Sequence, residues 1–589
     1  MTTVAHERKG GSWLLDTTPH SAVFTPERMS EEHALMARTA LEFMTQEVVP
    51  VKDQLEAKAW DVNRHLLKRC GELGLLGIDV PESYGGLALD KVSSVVVAEQ
   101  IGRQASFCVT FGAETGLAIM PLLMFGSEDQ KSRYLPRLIN GDIVGAYALS
   151  ESGSGSDALG ARARADEQPD GSYRLNGEKM WISNCGFADV YIVFAKVGGE
   201  KFSCFIVERD WPGVSVGREE HKMGIHGSST APLILQDVPV PRENVIGEIG
   251  AGHKIAFGVL NYGRFKLGAM CSGGAKMAIA EAARYAATRR QFGQPIANFG
   301  AIKHKLGQMN VWAYAVESLV YRLAGMIDQA VDAMGHDAKG LRAALEEYSV
   351  ESSIAKVAGS EMLDFVLDEN VQIHGGNGFV RDYAAEGHYR DARVNRIFEG
   401  TNEINRLLAT GMLMRKAARN ELPLIAAAKR TLDEVMSPSL TEPAGDGILE
   451  AETAAVAAFK KIGLLMLGAA MQRYGESAAD EQEVLGCISD ICIDTFAAES
   501  CVLRAQAAAD RALPKAPLHV DAAQVFVSDA AMRIEMLARQ GLAAMHEGDT
   551  LRTYLSALRR VLKVTPVNAV AIRRRLADVA VERGSYIFS

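Results

Sequence analysis

Tyr173-Arg174-Leu175-Asn176-Gly177-Glu178-Lys179-Met180-Trp181-Ile182-Ser183 is where the texture of this 589-residue chain changes. Polar and apolar residues alternate around an Asn-Gly pair, which predicts strand and turn rather than helix. Two short apolar strands follow, Val190-Tyr191-Ile192-Val193-Phe194 and Phe202-Ser203-Cys204-Phe205-Ile206-Val207, and another over Leu233 to Val240. This predicts a β domain of about 100 residues set between two helical blocks.

Outward from that domain the period is helical. On the N-terminal side, amphipathic runs begin at Glu31, Leu66 and Asp90, broken by the turn-rich Pro81-Glu82-Ser83-Tyr84-Gly85-Gly86. On the C-terminal side, helices of about 25 residues or more are expected over 251–290, 300–333 and 337–375, lengths that suit a bundle. Ala-rich helices follow residue 415, beyond a polar break at 437–447. The expected fold is mainly α with a middle β domain. The order is an N-terminal helical domain at 30–143, a β-barrel-like domain at 144–250 and a four-helix bundle at 251–415. A linker and connecting helix follow at 416–449, then an additional helical domain at 450–589.

Composition narrows the class. The chain is 48% hydrophobic and 23% charged, as soluble globular proteins are. A net charge of -10 opposes a nucleic-acid-binding surface over the whole molecule. No apolar run of membrane-spanning length is expected, nor a secretory signal between Met1 and Thr18. The eight cysteines contain no C-x-x-C pair, so neither a disulfide framework nor a metal site is indicated, and a cytoplasmic setting is expected.

The chemistry concentrates in Asn395-Arg396-Ile397-Phe398-Glu399-Gly400-Thr401-Asn402-Glu403-Ile404-Asn405-Arg406. Glu399 lies between Phe398 and a Gly-Thr turn that opens a helix with Thr401 as N-cap. Such a carboxylate is desolvated and reachable, as a general base must be. It would equally complement a helix dipole.

Four further stretches could bind ligand, and each has a plain structural use. Ser150-Glu151-Ser152-Gly153-Ser154-Gly155-Ser156-Asp157 offers backbone N–H groups to an anion, or serves as a linker. Trp181-Ile182-Ser183-Asn184 could stack on and hydrogen-bond a planar ring, or belong to the β core. Arg289 to Gly293 closes a helix with guanidiniums suited to pyrophosphate or to the dipole. Gln372-Ile373-His374-Gly375-Gly376-Asn377-Gly378-Phe379 ends another helix, with His374 as capping or packing residue.

In this order and spacing, these motifs resemble the acyl-CoA dehydrogenase family over about residues 30–415. The additional helical domain is similar to that of the very-long-chain members and their bacterial long-chain relatives. The resemblance implies FAD as cofactor and acyl-CoA as substrate, with trans-2-enoyl-CoA formed in fatty acid β-oxidation and electrons passed to an electron-transfer flavoprotein. It implies that Glu399 is the base, with Gly263 at the position where a minority of the family carries it. Tyr147, Leu149 and Ser150 would lie along the flavin, Trp181 and Ser183 would flank its ring, and Ser156 would contact phosphate or CoA. Arg289, Phe292, Gln372 and Gly376 would serve the partner subunit's FAD, and Thr401 and Glu403 would close over FAD. Asn261, Arg264 and Gly400 would meet the acyl-CoA, with Val109 and Ala113 along the acyl tunnel.

Three departures stand out: Ser152 replaces the usual Pro, Ser150 and Ser183 replace Thr, and Val109, Gly112 and Ala113 replace residues that close a medium-chain pocket. The last implies a deeper tunnel and a long-chain preference. The family further implies a homo-oligomer, here a homodimer, with peripheral membrane contact as one use of the basic C-terminal helices. An acyl-CoA oxidase using O2 is the nearest alternative. A non-catalytic relative acting as a binding or assembly protein is the other.

Overall fold

A computed structural model describes residues 9–436 and 447–589; the expected break at 437–447 thus falls outside the described residues but for Gly447. The N-terminal domain comprises α1 (Glu31–Phe43), α2 (Lys52–Glu56), α3 (Trp60–Glu72), α4 (Lys91–Ile101), α5 (Ala105–Gly112), α6 (Met120–Phe125) and α7 (Glu128–Ile139). Side chains place the caps: Ser30 Oγ accepts from His33 N at 3.2 Å, and Asp90 Oδ1 accepts from Ser93 N at 2.8 Å. Between α5 and α6 the helix widens into a π-turn over Ala113–Ile119, beside the functional cavity.

The middle domain is an eight-stranded sheet in the order β6-β7-β3-β2-β4-β5-β8, with β1 paired to β4. Its strands are β1 (Gly145–Ala148), β2 (Arg164–Glu167), β3 (Tyr173–Ser183), β4 (Val190–Val197), β5 (Lys201–Glu208), β6 (Val214–Val216), β7 (Thr230–Val240) and β8 (Val245–Ile246). Alternation divides two cores. Tyr191, Val193, Phe205 and Val207 fill the sheet's own core, while Ile192, Phe194, Cys204 and Ile206 join the helical one.

The Asn176-Gly177 pair does not turn the chain. It sits inside β3, which pairs antiparallel with β7 from Tyr173↔Val240 to Ser183↔Thr230 with register shifts at Leu175/Gly177 and Lys179/Ile182. Asn176 Oδ1 accepts from Asp237 N at 2.9 Å, and a Cβ at Gly177 would lie 2.7 Å from the Ala163 Cβ, so the glycine serves close approach.

The bundle follows: α8 (Gly252–Thr288), a hairpin of β9 (Arg290–Gln291) and β10 (Gln294–Pro295), α9 (Gly300–Met334), α10 (Ala338–Glu347), α11 (Ser349–His374), α12 (Ala385–Ala392) and α13 (Asn402–Ala418). The single helix expected over 337–375 is thus two. Tyr348 leaves helical geometry (φ -96°, ψ 26°) because the N-terminal segment docks there. Gly10 N donates to Glu347 Oε1 at 2.7 Å and Gly11 N to Glu351 Oε1 at 2.6 Å. A Cβ at Gly10 would stand 2.0 Å from the Glu347 carbonyl oxygen, so only glycine reaches the break.

Beyond α14 (Leu424–Met436) the additional domain comprises α15 (Glu450–Tyr474), α16 (Gln482–Asp510), α17 (Ala516–Met545), α18 (Gly548–Val561) and α19 (Ala569–Arg583). It is joined to the bundle by buried ions: Arg504 on α16 meets Glu27 at 2.5 Å and Glu317 on α9 at 2.6 Å, and Lys276 on α8 reaches the same Glu317. Removing one member would strand the others without water. Two stretches, Ala105–Phe125 and Glu450–Asp480, are long and apolar enough to cross a membrane by length and composition, contrary to the sequence expectation. They are 83% and 61% buried within the fold, which supplies the apolar surroundings their side chains require.

Candidate active site

Glu399 stands in the loop before α13 with φ 57°, followed by Gly400 at φ 79°. A left-handed non-glycine residue is held only where its surroundings over-determine it. Here three donors grip the loop's carbonyl oxygens. Arg264 Nε donates to Glu399 O at 3.1 Å, Lys356 Nζ to Gly400 O at 2.7 Å, and Asn405 Nδ2 to Gly400 O at 2.8 Å and Thr401 O at 3.0 Å. Thr401 Oγ1 accepts from Ile404 N at 3.2 Å, capping α13 as expected, and Glu403 is exposed in its first turn.

The carboxylate itself points over Gly263 on α8: a Cβ there would lie 2.6 Å from Glu399 Oε2 and 3.1 Å from Oε1. Oε2 is buried with no hydrogen-bond partner among the described residues. Burial therefore raises the Glu399 carboxyl to about 7, opposed by the charges of Arg264 and Lys356. The two cations are affected in turn: burial lowers Arg264, and it lowers Lys356 to about 8. The net result is a base poised near neutrality, as proton abstraction requires.

Glu399 lines a cavity together with Val109, Gly112, Ala113, Ser183, Gly263 and Phe398, and the same cavity is lined by Gly274, Met277 and Leu367. The structure thus brings Val109, Ala113, Ser183 and Glu399, predicted from three separate stretches, into one cavity. Asn261 and Arg264 flank Gly263 on α8 without lining the cavity themselves, with Arg264 Nη1 donating to Asn261 Oδ1 at 3.3 Å. Lys266 also lines the cavity, its ammonium donating to Thr115 Oγ1 at 3.1 Å over the rings of Phe111 and Tyr262.

The β-domain residues form the adjoining rim. Ser150 O accepts from Met180 N at 2.9 Å, which sets the Gly-Ser loop beside Trp181. Glu151 pins that loop by accepting from Arg162 N, Ala163 N and Lys179 Nζ at 2.6, 2.9 and 2.7 Å. Gly153 and Gly155 have open space where a Cβ would stand, and Ser156 is exposed. Trp181 is 52% exposed with φ 59°, while Tyr147 is buried with its hydroxyl unpartnered. Leu149 is buried, its carbonyl accepting from Lys179 Nζ at 3.1 Å. A half-exposed indole, an open glycine loop and an orphaned phenol beside the cavity fit a planar ring carrying a phosphate tail.

Arg289, Phe292, Gln372 and Gly376 do not join this site. They lie exposed at the other end of the bundle, about 37 Å along α8 from Gly263 at ~1.5 Å per residue. Phe292 tips the β9–β10 hairpin at φ 50° and is 93% exposed. Tyr285 stacks on His374 with ring centroids 4.0 Å apart, joining the ends of α8 and α11 and confirming a packing use for that histidine.

Sequence reasoning missed Lys356, Lys179 and Glu151. Lys356 carried one signal, a lone cation inside the run Ser353-Ile354-Ala355-Lys356-Val357.

Four family models match in order along the chain. They are "Acyl-CoA dehydrogenase, N-terminal domain" at 30–142, the middle domain at 146–238, and two described as "Acyl-CoA dehydrogenase, C-terminal domain" at 250–413 and 458–560. The chain is 46% identical over 588 residues to a probable acyl-CoA dehydrogenase of Bacillus subtilis, covering 99% of each. It is 33% identical over 536 residues to the rat mitochondrial very long-chain specific enzyme, covering 86% of this chain and 79% of that one. It superposes on the crystal structure of a Bacillus anthracis acyl-CoA dehydrogenase complexed with FAD at a TM-score of 0.96 and 48% identity, covering 98% of this chain and all of that one.

Proposed function

The chain belongs to the acyl-CoA dehydrogenase family, and on that premise we propose that it oxidises long-chain acyl-CoA thioesters to trans-2-enoyl-CoA, with Glu399 as base, and passes the electrons to an electron-transfer flavoprotein. As a member it is an FAD-dependent oxidoreductase acting on the CH–CH group of acyl-CoA. The observation that carries the residue assignment is the Glu399 carboxylate, buried and unpartnered over Gly263 in the cavity that Ser183 also lines.

The α C–H of a thioester is barely acidic, so the base must start unsolvated and aimed. Glu399 meets both needs: Oε2 has no partner to give up, and Arg264, Lys356 and Asn405 fix the loop from behind. Glu399 takes the α-proton; FAD, when bound, would supply the acceptor for the β-hydrogen as hydride. The apolar wall of Val109, Ala113, Leu267 and Phe398 excludes water from the developing negative charge. Trp181 and Ser183 on β3 would flank the flavin, Tyr147 to Ser150 would run beneath it, and the Gly-Ser loop would face phosphate.

Two further parts of this reading have their own support. Long-chain preference is supported by the cavity's length: its wall on α8 runs from Gly263 to Met277, about 21 Å at ~1.5 Å per residue. A homodimer is supported by the separate exposed cluster of Arg289, Phe292, Gln372 and Gly376, too distant to serve this chain's own flavin and suited to that of a partner. A cytoplasmic setting accords with eight buried, free cysteines.

The test is anaerobic bleaching of the bound flavin across an acyl-CoA length series, with electron-transfer flavoprotein and O2 compared as acceptors. Fastest bleaching near C16 and turnover with the flavoprotein are expected. A C4–C8 optimum would remove the chain-length assignment, and rapid peroxide formation would make the protein an oxidase.

A further inference from the structure

We propose that the additional C-terminal domain positions the catalytic base through a continuous chain of hydrogen bonds in which Asp490 and Lys356 are the positioning residues. The chain starts on α16. Asp490 Oδ1 accepts from Arg406 Nε at 2.6 Å, and the same guanidinium grips Glu361 at 2.8 Å through Nη1 and 2.9 Å through Nη2. Glu361 Oε1 accepts from Asn402 Nδ2 at 3.0 Å. Asn402 Oδ1 accepts from Lys356 Nζ at 2.6 Å, and Lys356 donates again to Gly400 O at 2.7 Å, the carbonyl next to the base. Every link is a direct contact, and four of its six members carry formal charge, the strongest class of hydrogen bond.

The geometry explains why such a chain would matter. Asn402 and Arg406 are four apart on α13, hence on one face one turn apart, and Lys356, Ser360 and Glu361 form the facing side of α11. A pull on Arg406 therefore sets the rotation of α13 about its own axis, which Asn402 transmits to Lys356. Ser360 Oγ locks the Asn402 side chain by accepting from Nδ2 at 3.0 Å, and it lies 3.3 Å from the Asn402 Oδ1 that Lys356 approaches more closely. The turn these residues hold places Glu399 and Gly400 at φ 57° and 79°, a conformation that reverts unless it is held. Glu361 alone would leave Arg406 free to swing toward solvent; Asp490 holds it from the other side. A second tether, Thr410 Oγ1 to Leu485 O at 3.0 Å, keeps α13 against α16 one turn beyond Arg406, where no catalytic residue follows.

This inference rests on Glu399 being the base, and the test separates the two. Holoenzyme with FAD is compared as wild type, Asp490→Ala, Asp490→Asn, Lys356→Met and the Asp490→Ala/Lys356→Met double variant. The readouts are FAD content, the flavin bleaching rate constant at saturating hexadecanoyl-CoA, and the acyl-CoA Kd from the same titration. Asp490→Ala is expected to bleach about tenfold more slowly with Kd within about twofold and full FAD content. Asp490→Asn, which keeps an accepting oxygen, is expected to recover to within about threefold of wild type, and the double variant to be no slower than Lys356→Met alone.

A wild-type rate in Asp490→Ala overturns the proposal, and so does a double variant in which the two losses multiply. Should Lys356→Met purify without FAD, the Ala and Asn variants at 490 decide it alone. Wild-type holoenzyme that no acyl-CoA bleaches would instead remove the functional assignment itself.

Discussion

Gly263→Ala offers a test of the base that leaves every polar group in place. The added Cβ would stand 2.6 Å from Glu399 Oε2, 2.9 Å from Cδ and 3.1 Å from Oε1, where ordinary contact begins at 3.4 Å. The carboxylate must therefore retreat by about 0.8 Å, which it can do by torsion because it ends a flexible side chain. The fold should tolerate this, since alanine is favoured over glycine inside a helix by about 1 kcal/mol. Catalysis should not. A reacting atom misplaced by ~1 Å costs about 10²-fold in rate. Stopped-flow bleaching of the flavin by hexadecanoyl-CoA under anaerobic conditions is expected to slow by about that factor, with FAD content and melting temperature preserved. A bleaching rate within about threefold of wild type would refute the placement of the base. The exchange Gly263→Glu with Glu399→Gly supplies the complement: a carboxylate returned from the α8 side should bleach at least about tenfold faster than Glu399→Gly alone.

Four further outcomes are expected. The bleaching rate should rise with pH around a midpoint near 7 and lose that limb in Glu399→Gln. Stability should run the opposite way: a carboxyl whose folded value exceeds its ordinary 4.5 holds its proton in the native state, so its contribution is complete below 4.5 and lost as pH rises through about 7. Wild type should lose melting temperature relative to Glu399→Gln between about pH 5 and 8, and parallel curves would contradict the burial. Removing FAD should expose Trp181, seen as recovered and red-shifted tryptophan emission that Trp181→Phe abolishes, together with a lowered melting temperature. Gly112→Leu should fill the cavity near Met270, whose Cε stands 3.3 Å from the added Cβ, and move the chain-length optimum several carbons shorter with hexanoyl-CoA oxidation retained.

Much of the architecture was legible because burial imposes a period on the sequence. The β domain announced itself in Val190–Phe194 and Phe202–Val207, runs that alternate between two cores and so are apolar at every position but Ser203. The long helices were equally plain where they pack on every side. The errors fell where partners distant in sequence decide the backbone. Asn176-Gly177 has the composition of a turn, yet β7 extends pairing across it. Nothing between 337 and 375 announces a break, because the break is made by Gly10 and Gly11, more than 300 residues away.

The same division holds at the site. By itself the sequence determined that Glu399 precedes an N-capped helix and is followed by a glycine, since these are properties of neighbours within a turn or two. It determined too, through the order of its motifs, the family and hence the cofactor. Only the tertiary structure decided what makes that carboxylate a base. Its burial against Gly263, the countering charges of Arg264 and Lys356, and the chain reaching back to Asp490 all join residues between 43 and 136 positions apart or on different domains. Charge in a protein interior is governed by distance in space, and no local pattern encodes which distant cation will stand beside a given acid.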